Sequence, residues 1–308
     1  MNRERTAPAH SALMREVEQG VFGFLQGDGG WCVNNAGLVV GAETAVLIDT
    51  AATERRAVRL REQVTRVVPA GASLLVNTHH HGDHVFGNAQ FVPAATIVAH
   101  ELTRTEMAAA GLGLRNLWPD VDWGDTPLVL PSLTFRDRLT LDLGGITVQL
   151  IHVGPAHTTN DVVAWIPQRR VLFAGDVLMS GVTPFCLMGS IEGSLRAIER
   201  LRALRPRIVV AGHGPVAGPE ILDVNAAYLR WIQRVAAAGV SDGRSVLQAA
   251  ASADAGEFAD LLDSERLVGN LHRAYAELGG AQPGAPIDVA TGFREMVTYH
   301  GGLPACHA

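Results

Sequence analysis

The run His79-His80-His81-Gly82-Asp83-His84 stands directly after SLLVNT, residues 73–78, a short apolar segment that reads as a buried strand. A chain with 12 histidines produces the pattern HxHxDH by chance on the order of once in a thousand. Neutral imidazoles and carboxylates are ligands for zinc and similar borderline ions, and a loop leaving a rigid strand can aim several of them at one point. In an extended segment His79 and His81 project to the same side and can chelate one ion. Asp83 and His84 come as the chain turns into the next element, so they face a second position nearby. One loop cannot complete two coordination shells. The fold must therefore bring further ligands to the same place from other strand ends.

Three such residues occur where that requires. His157 lies in GPAHTTND after a strand ending at Val153, Asp176 in FAGDV after Val171–Ala174, and His213 in AGHGP after Ile208–Ala211. Each has a glycine or proline close by that lets the backbone turn sharply.

The rest of the chain supplies strands in number. After a polar tail over residues 1–16, the runs Val21–Leu25 and Ala36–Val40 flank the turn-rich GDGGWCVNN and read as a hairpin. Ala45–Thr50 is a short strand ending on an aspartate. Glu54–Val67 has helical spacing, Thr96–His100 is a strand, and a helix begins near Glu101. Leu139–Val153 is a hairpin turning at Gly144-Gly145, and DVVAWI with RVLFAGD forms the next strand pair. Ser190 is placed to cap the amphipathic stretch Leu195–Leu204 before the strand RIVVAGHG. Beyond Gly218 the pattern is mostly helical. Two strand-rich halves, each with helices, predict two packed sheets covered outside by helices: a tail over 1–16, a catalytic domain over 17–239 and a helical extension over 240–308.

Composition closes several classes of function. All 25 basic residues are arginine, so Schiff-base lysines and a phosphate-binding loop of the GxxxxGK[ST] type are excluded. The formal net charge is −6 and the arginines are scattered among acids, which argues against a nucleic-acid partner. Cys32, Cys186 and Cys306 lack metal-finger spacing, and an odd count argues against a disulfide framework. No apolar stretch of about 18 residues occurs and the start has no signal-peptide core. The expectation is a cytoplasmic protein with no membrane partner.

The series HxHxDH, GxxHT, GD and GHG resembles the metallo-β-lactamase-fold hydrolase superfamily over about residues 17–239. The resemblance implies an α/β architecture, an αββα sandwich with the metal site along one edge of the paired sheets, here followed by a C-terminal helical extension. It implies that His79, His81 and His157 hold a first zinc, that Asp83, His84 and His213 hold a second, and that Asp176 bridges them. Asp49 resembles the aspartate that supports the ligand histidines, and Asp83 the residue that orients the nucleophile and handles its proton. Iron or manganese remain open beside two Zn2+. His80 reads as a wall or solvent-facing residue. His100, His152, His272 and His300 read as isolated structural histidines, and Cys186 as a small apolar filler.

Fold alone does not name a reaction. The loops GGWCVNN, 117–125 and 181–190 carry Trp31, Trp118, Trp123, Phe185 and Met188, which suit a flat, partly apolar ligand. Together with LVGNLHRAYAEL and HGGLPACHA, these segments resemble the cyclase/thioesterases of bacterial aromatic polyketide pathways, which close a ring by aldol chemistry and release the product from an acyl carrier protein. That resemblance implies a small-molecule acyl thioester substrate delivered by a carrier. A lactonase, a glyoxalase II-like thioesterase, a β-lactamase-like enzyme or a non-catalytic binding module are the alternatives.

Overall fold

The computed structural model describes residues 12–308, so residues 1–11 of the tail lie outside it. Among the described residues twelve strands form two sheets. The first holds, in spatial as in chain order, β1 (Leu13–Glu18), β2 (Val21–Leu25), β3 (Ala36–Val40), β4 (Ala45–Ile48), β5 (Leu74–Asn77), β6 (Thr96–His100) and β7 (Leu133–Phe135). The second runs β12 (Ile208–His213), β11 (Val171–Met179), β10 (Val162–Ile166), β9 (Thr147–His152) and β8 (Arg138–Asp142). The helices are α1 (Glu54–Val67), α2 (Gly82–Val85), α3 (Glu101–Ala110), α4 (Ile191–Leu204), α5 (Ile221–Ser241), α6 (Val246–Ser252), α7 (Arg266–Leu278) and α8 (Val289–His300).

Strand sequences show why the layers form. Along β4, Val46 and Ile48 pack into the space between the sheets, while Ala45 and Leu47 face outward onto Leu60 and Val64 of α1. Along β10 and β11, Val162, Ala164, Val171 and Phe173 fill the same inter-sheet core, and Val163, Trp165, Leu172 and Ala174 face the cluster containing Ile198 of α4 and Leu229 of α5. Strands buried on both faces read as continuous apolar runs because alternate residues serve two different cores. The order of layers is helix, sheet, sheet, helix, as the sequence implied, with α6–α8 following as the extension.

Three sequence boundaries shift. The polar stretch before Glu16 is not all tail, because Leu13–Glu18 pairs antiparallel with β2 as an edge strand whose side chains are exposed or half-buried. The limit at residue 239 falls inside α5, whose 21 residues run unbroken to Ser241. Asp176 does not follow its strand: β11 continues to Met179, with its pairing to β12 shifting register around Gly175. Ser190 does cap α4, its hydroxyl accepting from the Gly193 amide at 2.8 Å.

The two sheets place one set of ends together. Asp49 follows β4, His79–His84 follow β5, His157 sits between β9 and β10, Asp176 lies in β11, and His213 ends β12. Among the described residues no helix is long and apolar enough to cross a membrane.

Candidate metal centre and its cavity

Two groups of potential ligands meet at this edge: His79, His81, His157 and Asp176, and beside them Asp83, His84 and His213. Within each group the ligand atoms all lie within 4.8 Å of one another. Asp176 stands between the groups. Its Oδ2 is 3.4 Å from His157 Nε2, 3.9 Å from His79 Nε2 and 3.5 Å from His213 Nε2, while its Oδ1 is 3.1 Å from His84 Nε2. Asp83 Oδ2 is 3.2 Å from His213 Nε2, and His157 Nε2 is 2.8 Å from His81 Nδ1.

Hydrogen bonds outside the cluster fix which nitrogen faces in. His84 Nδ1 donates to Asp49 Oδ2 at 2.8 Å, His213 Nδ1 to the Gly29 carbonyl at 2.8 Å, and His157 Nδ1 to the Phe185 carbonyl. Thr78 Oγ1 spends its proton on Asp49 Oδ2 at 2.6 Å, so its lone pair accepts from His79 Nδ1 at 3.1 Å. With each Nδ1 proton committed outward, four Nε2 atoms turn inward, which is how metal-binding imidazoles are oriented. Asp49, held at a φ of 59° just beyond β4, serves three of these contacts because it also accepts from the Thr78 amide at 2.7 Å. Its position in the left-handed region is the kind of backbone strain that collects at functional sites.

Asp161 orders the loop that carries His157. Its carboxylate accepts from the amides of Ala156 and Thr158 and from the Thr158 hydroxyl at 3.1, 2.9 and 2.7 Å. The sequence signal was present in HTTND, where a carboxylate follows its loop by four residues, but nothing in the spacing marks it as a support. Asn35 does the same for the His213 turn, donating to the Ala211 and Gly214 carbonyls at 2.9 and 2.7 Å. Glycine is required beside both: a Cβ on Gly212 would collide with Asp176 Oδ1, and one on Gly29 with the Gly214 backbone.

Electrostatics divide the cluster. Burial, reinforced by neighbouring imidazoles, pushes His79 and His81 well below the usual histidine range. Burial works against the charged form of His213 too, but the Asp176 and Asp83 carboxylates outweigh it and raise its pKa to about 9. His84 is raised in the same way. Burial alone would raise Asp83 and Asp176, yet the facing histidines hold both below the ordinary carboxylate range. Left to protons alone, this arrangement still strands His79 Nε2 and His81 Nε2 in the interior without a hydrogen-bond partner. Buried polar atoms without partners are rare and costly. Divalent cations would satisfy them, and the donor set of imidazoles and carboxylates suits zinc.

A cavity of about 890 Å³ opens on this cluster. Trp31, Trp118, Phe185 and Met188 are in its wall with His81, Asp83, His157, Asp176 and His213. Trp123 is not. It packs behind the wall against Phe86, and its Nε1 donates to the Trp118 carbonyl at 3.2 Å, so it braces a lining residue rather than lining the cavity itself. His80 is also in the wall, its Nδ1 accepting from Asn160 at 3.0 Å. His100 and His152 are not isolated: they stack at 3.9 Å, apart from the metal centre. His272 bonds to Glu295 at 2.9 Å. Cys186 is buried beside Ser194 Oγ at 3.3 Å, and burial lifts its thiol pKa to about 12, consistent with an inert filler. Missed by sequence reasoning are the contributions to the wall from Arg266, Phe293, Met296, Leu303 and Pro304.

Two sheets with histidines and aspartates converging at their paired edge define a dinuclear metallohydrolase-type centre. Comparison with known proteins agrees: the model of the Metallo-beta-lactamase superfamily matches residues 29–213. The chain belongs to the metallo-β-lactamase superfamily of hydrolases. It is 25% identical over 203 residues to the "Metallo-beta-lactamase type 2" of Bacteroides fragilis, covering 63% of this chain and 75% of that one. It is 33% identical over 130 residues to the hydroxyacylglutathione hydrolase of Methylococcus capsulatus, covering 42% of this chain and 43% of that one, less than half of either. The solved metallo-β-lactamase from Pontibacter korlensis superposes with a TM-score of 0.59 at 21% identity, over 70% of this chain and 98% of that one, a likeness of fold.

Proposed function

We propose that the protein is a dizinc hydrolase of acyl thioesters, and that its particular substrate is an aromatic polyketide, which it cyclises by aldol chemistry and releases from an acyl carrier protein in the cytoplasm. The observation that carries this reading is the large aromatic-walled cavity opening directly onto the ligand cluster. Superfamily chemistry supplies a hydrolytic centre; the wall supplies room for an apolar acyl group many atoms long. The likeness to hydroxyacylglutathione hydrolases adds relatives whose named substrate is itself an acyl thioester.

His79, His81 and His157 would hold one zinc and Asp83, His84 and His213 the other, with Asp176 between them. When bound, the pair supplies Lewis acidity that polarises a carbonyl oxygen and makes water acidic enough to react at neutral pH. Asp83 is in the cavity wall, so its carboxylate can orient the attacking water and take its proton. As the water oxygen bonds to the carbonyl carbon, the carbon–sulfur bond breaks and the thiol leaves with that proton. In the aldol step the same carboxylate would accept the acidic proton between two carbonyls, the carbon so freed would bond to a second carbonyl carbon of the chain, and the proton would pass to that carbonyl's oxygen. Trp31, Trp118, Phe185 and Met188 hold the acyl chain and exclude bulk water.

Incubating the zinc-loaded protein with a carrier-bound aromatic polyketide thioester tests this. Metal-dependent ring closure and release are expected; an unchanged thioester would overturn the proposal. A general metallohydrolase is the second reading, favoured by the likeness to a metallo-β-lactamase. It is separated by a panel of lactones and β-lactams, which on the thioesterase reading turn over far more slowly.

A further inference from the structure

We infer that the C-terminal extension selects the acyl group, with Phe293 as the specificity-determining residue for planar aromatic acyl chains. This rests on the thioesterase reading and names its substrate class. The superfamily match ends at residue 213, but the cavity wall does not. Val289, Phe293, Met296 and Val297, spaced to share one face of α8, line it together with Leu303 and Pro304.

Four of the lining rings form one continuous set. Trp31 lies 5.5 Å from both Trp118 and Phe185 and 6.3 Å from Phe293, and Phe293 lies 6.0 Å from Phe185 at 67°. The set begins at the metal centre, since the Phe185 carbonyl accepts from His157 Nδ1. Trp31 is immobilised by the extension. Its Nε1 donates to the Glu265 carboxylate, and the Arg266 guanidinium sits over its ring at 4.1 Å. Arg266 is in turn tied to Asp263 at 2.8 Å and to the Thr183 carbonyl at 3.3 Å. Glu265 and Arg266 are both buried, so they are positioning residues that act through Trp31.

Phe293 differs. It is only half-buried and carries none of the polar ties that fix Trp31. A linear aliphatic chain would gain burial from these rings and nothing else. A planar aromatic guest also gains ring–ring contact, which multiplies affinity about two- to tenfold per pair. Trp31 provides a fixed platform for such a guest, and Phe293 is the ring best placed to adjust to it.

The test has two arms on zinc-loaded protein. In the first, hydrolysis of 2-naphthoyl and acetyl N-acetylcysteamine thioesters is compared for the wild type, Phe293→Ala and Phe293→Leu. Phe293→Ala is expected to lower kcat/KM for the naphthoyl ester about tenfold more than for the acetyl ester, chiefly through KM, and Phe293→Leu to recover little of the difference. In the second arm, tryptophan fluorescence titrations compare two twelve-carbon ketones, 2-acetylnaphthalene and 2-dodecanone. The variants should narrow the wild type's preference for the aromatic ketone by a similar factor. Equal losses on both esters, or an unchanged ketone ratio in folded variants, would overturn the inference. A wild type that discriminates between ketones but cleaves neither ester would overturn the thioesterase reading and leave the aromatic selection standing.

Discussion

At one end of the cavity, seven polar side chains gather at one edge of the paired sheets, with four imidazoles pinned by hydrogen bonds to a carboxylate, a hydroxyl and two carbonyls. At the other end, the wall from α8 and the segment after it is mostly apolar, with Arg294 and Thr298 beside Val289, Phe293, Met296 and Val297, and it is held to the rest by packing and by the Trp118 Nε1 bond to the Pro304 carbonyl at 2.7 Å. The contrast follows from what each end must do. Cations need donors fixed in direction, and only rigid strands with supporting hydrogen bonds give that. An acyl group needs only shape and water exclusion, which helices with ordinary apolar faces can supply. The ligand end therefore admits few residue types, and the acyl end admits many.

Stripping the metal with a chelator should have the largest effect, abolishing thioester cleavage by on the order of a thousandfold or more, with recovery on adding zinc. It should leave the ketone preference of the acyl end largely in place, and fluorescence titration of the stripped protein measures this. Gly212→Ala is expected to break the ligand end without touching a ligand. The added methyl group meets Asp176 Oδ1, so bound metal measured by elemental analysis should fall, with a stability loss of about 1–3 kcal/mol in denaturant titration. Asp49→Asn weakens the aim of His84 and, through Thr78, of His79. Metal affinity in chelator competition should drop about 10–100-fold while the fold persists.

The acyl end should respond to different changes. Asn270 of α7 joins the extension to the loop carrying Phe185 and Met188, accepting from the Cys186 amide at 2.8 Å and donating to the Pro184 carbonyl at 2.7 Å. Asn270→Ala strands both buried groups, so a loss of about 1–3 kcal/mol is expected. KM for the naphthoyl ester should rise while metal content stays unchanged. Smallest is Ser190→Ala at the start of α4, which removes a helix cap worth about 1 kcal/mol and should move the thermal midpoint without altering either end.

The same contrast decided what could be read in the sequence. HHHGDH, with His157, Asp176 and His213 each beside a turn-forming residue, carries its meaning in residue type and placement. The alternating cores of β4, β10 and β11 are likewise written in apolar runs. Phe293 carries no such mark, because one phenylalanine on an amphipathic helix has the same local pattern whether it faces a core or a cavity. Trp123 shows the converse: its loop setting resembles that of Trp118, and only the chain's path puts one ring in the wall and the other behind it. Leu13–Glu18 is obscured because an edge strand with no fully buried side chain has no apolar run to mark it. Asp176 reads as the end of its strand because Gly175 looks like a turn, whereas β11 runs on to Met179 with a register shift around that glycine.

Both ligand groups should hold a cation. Elemental analysis of the purified protein is expected to find close to two equivalents of zinc per chain, and one equivalent or fewer would rule out a paired centre.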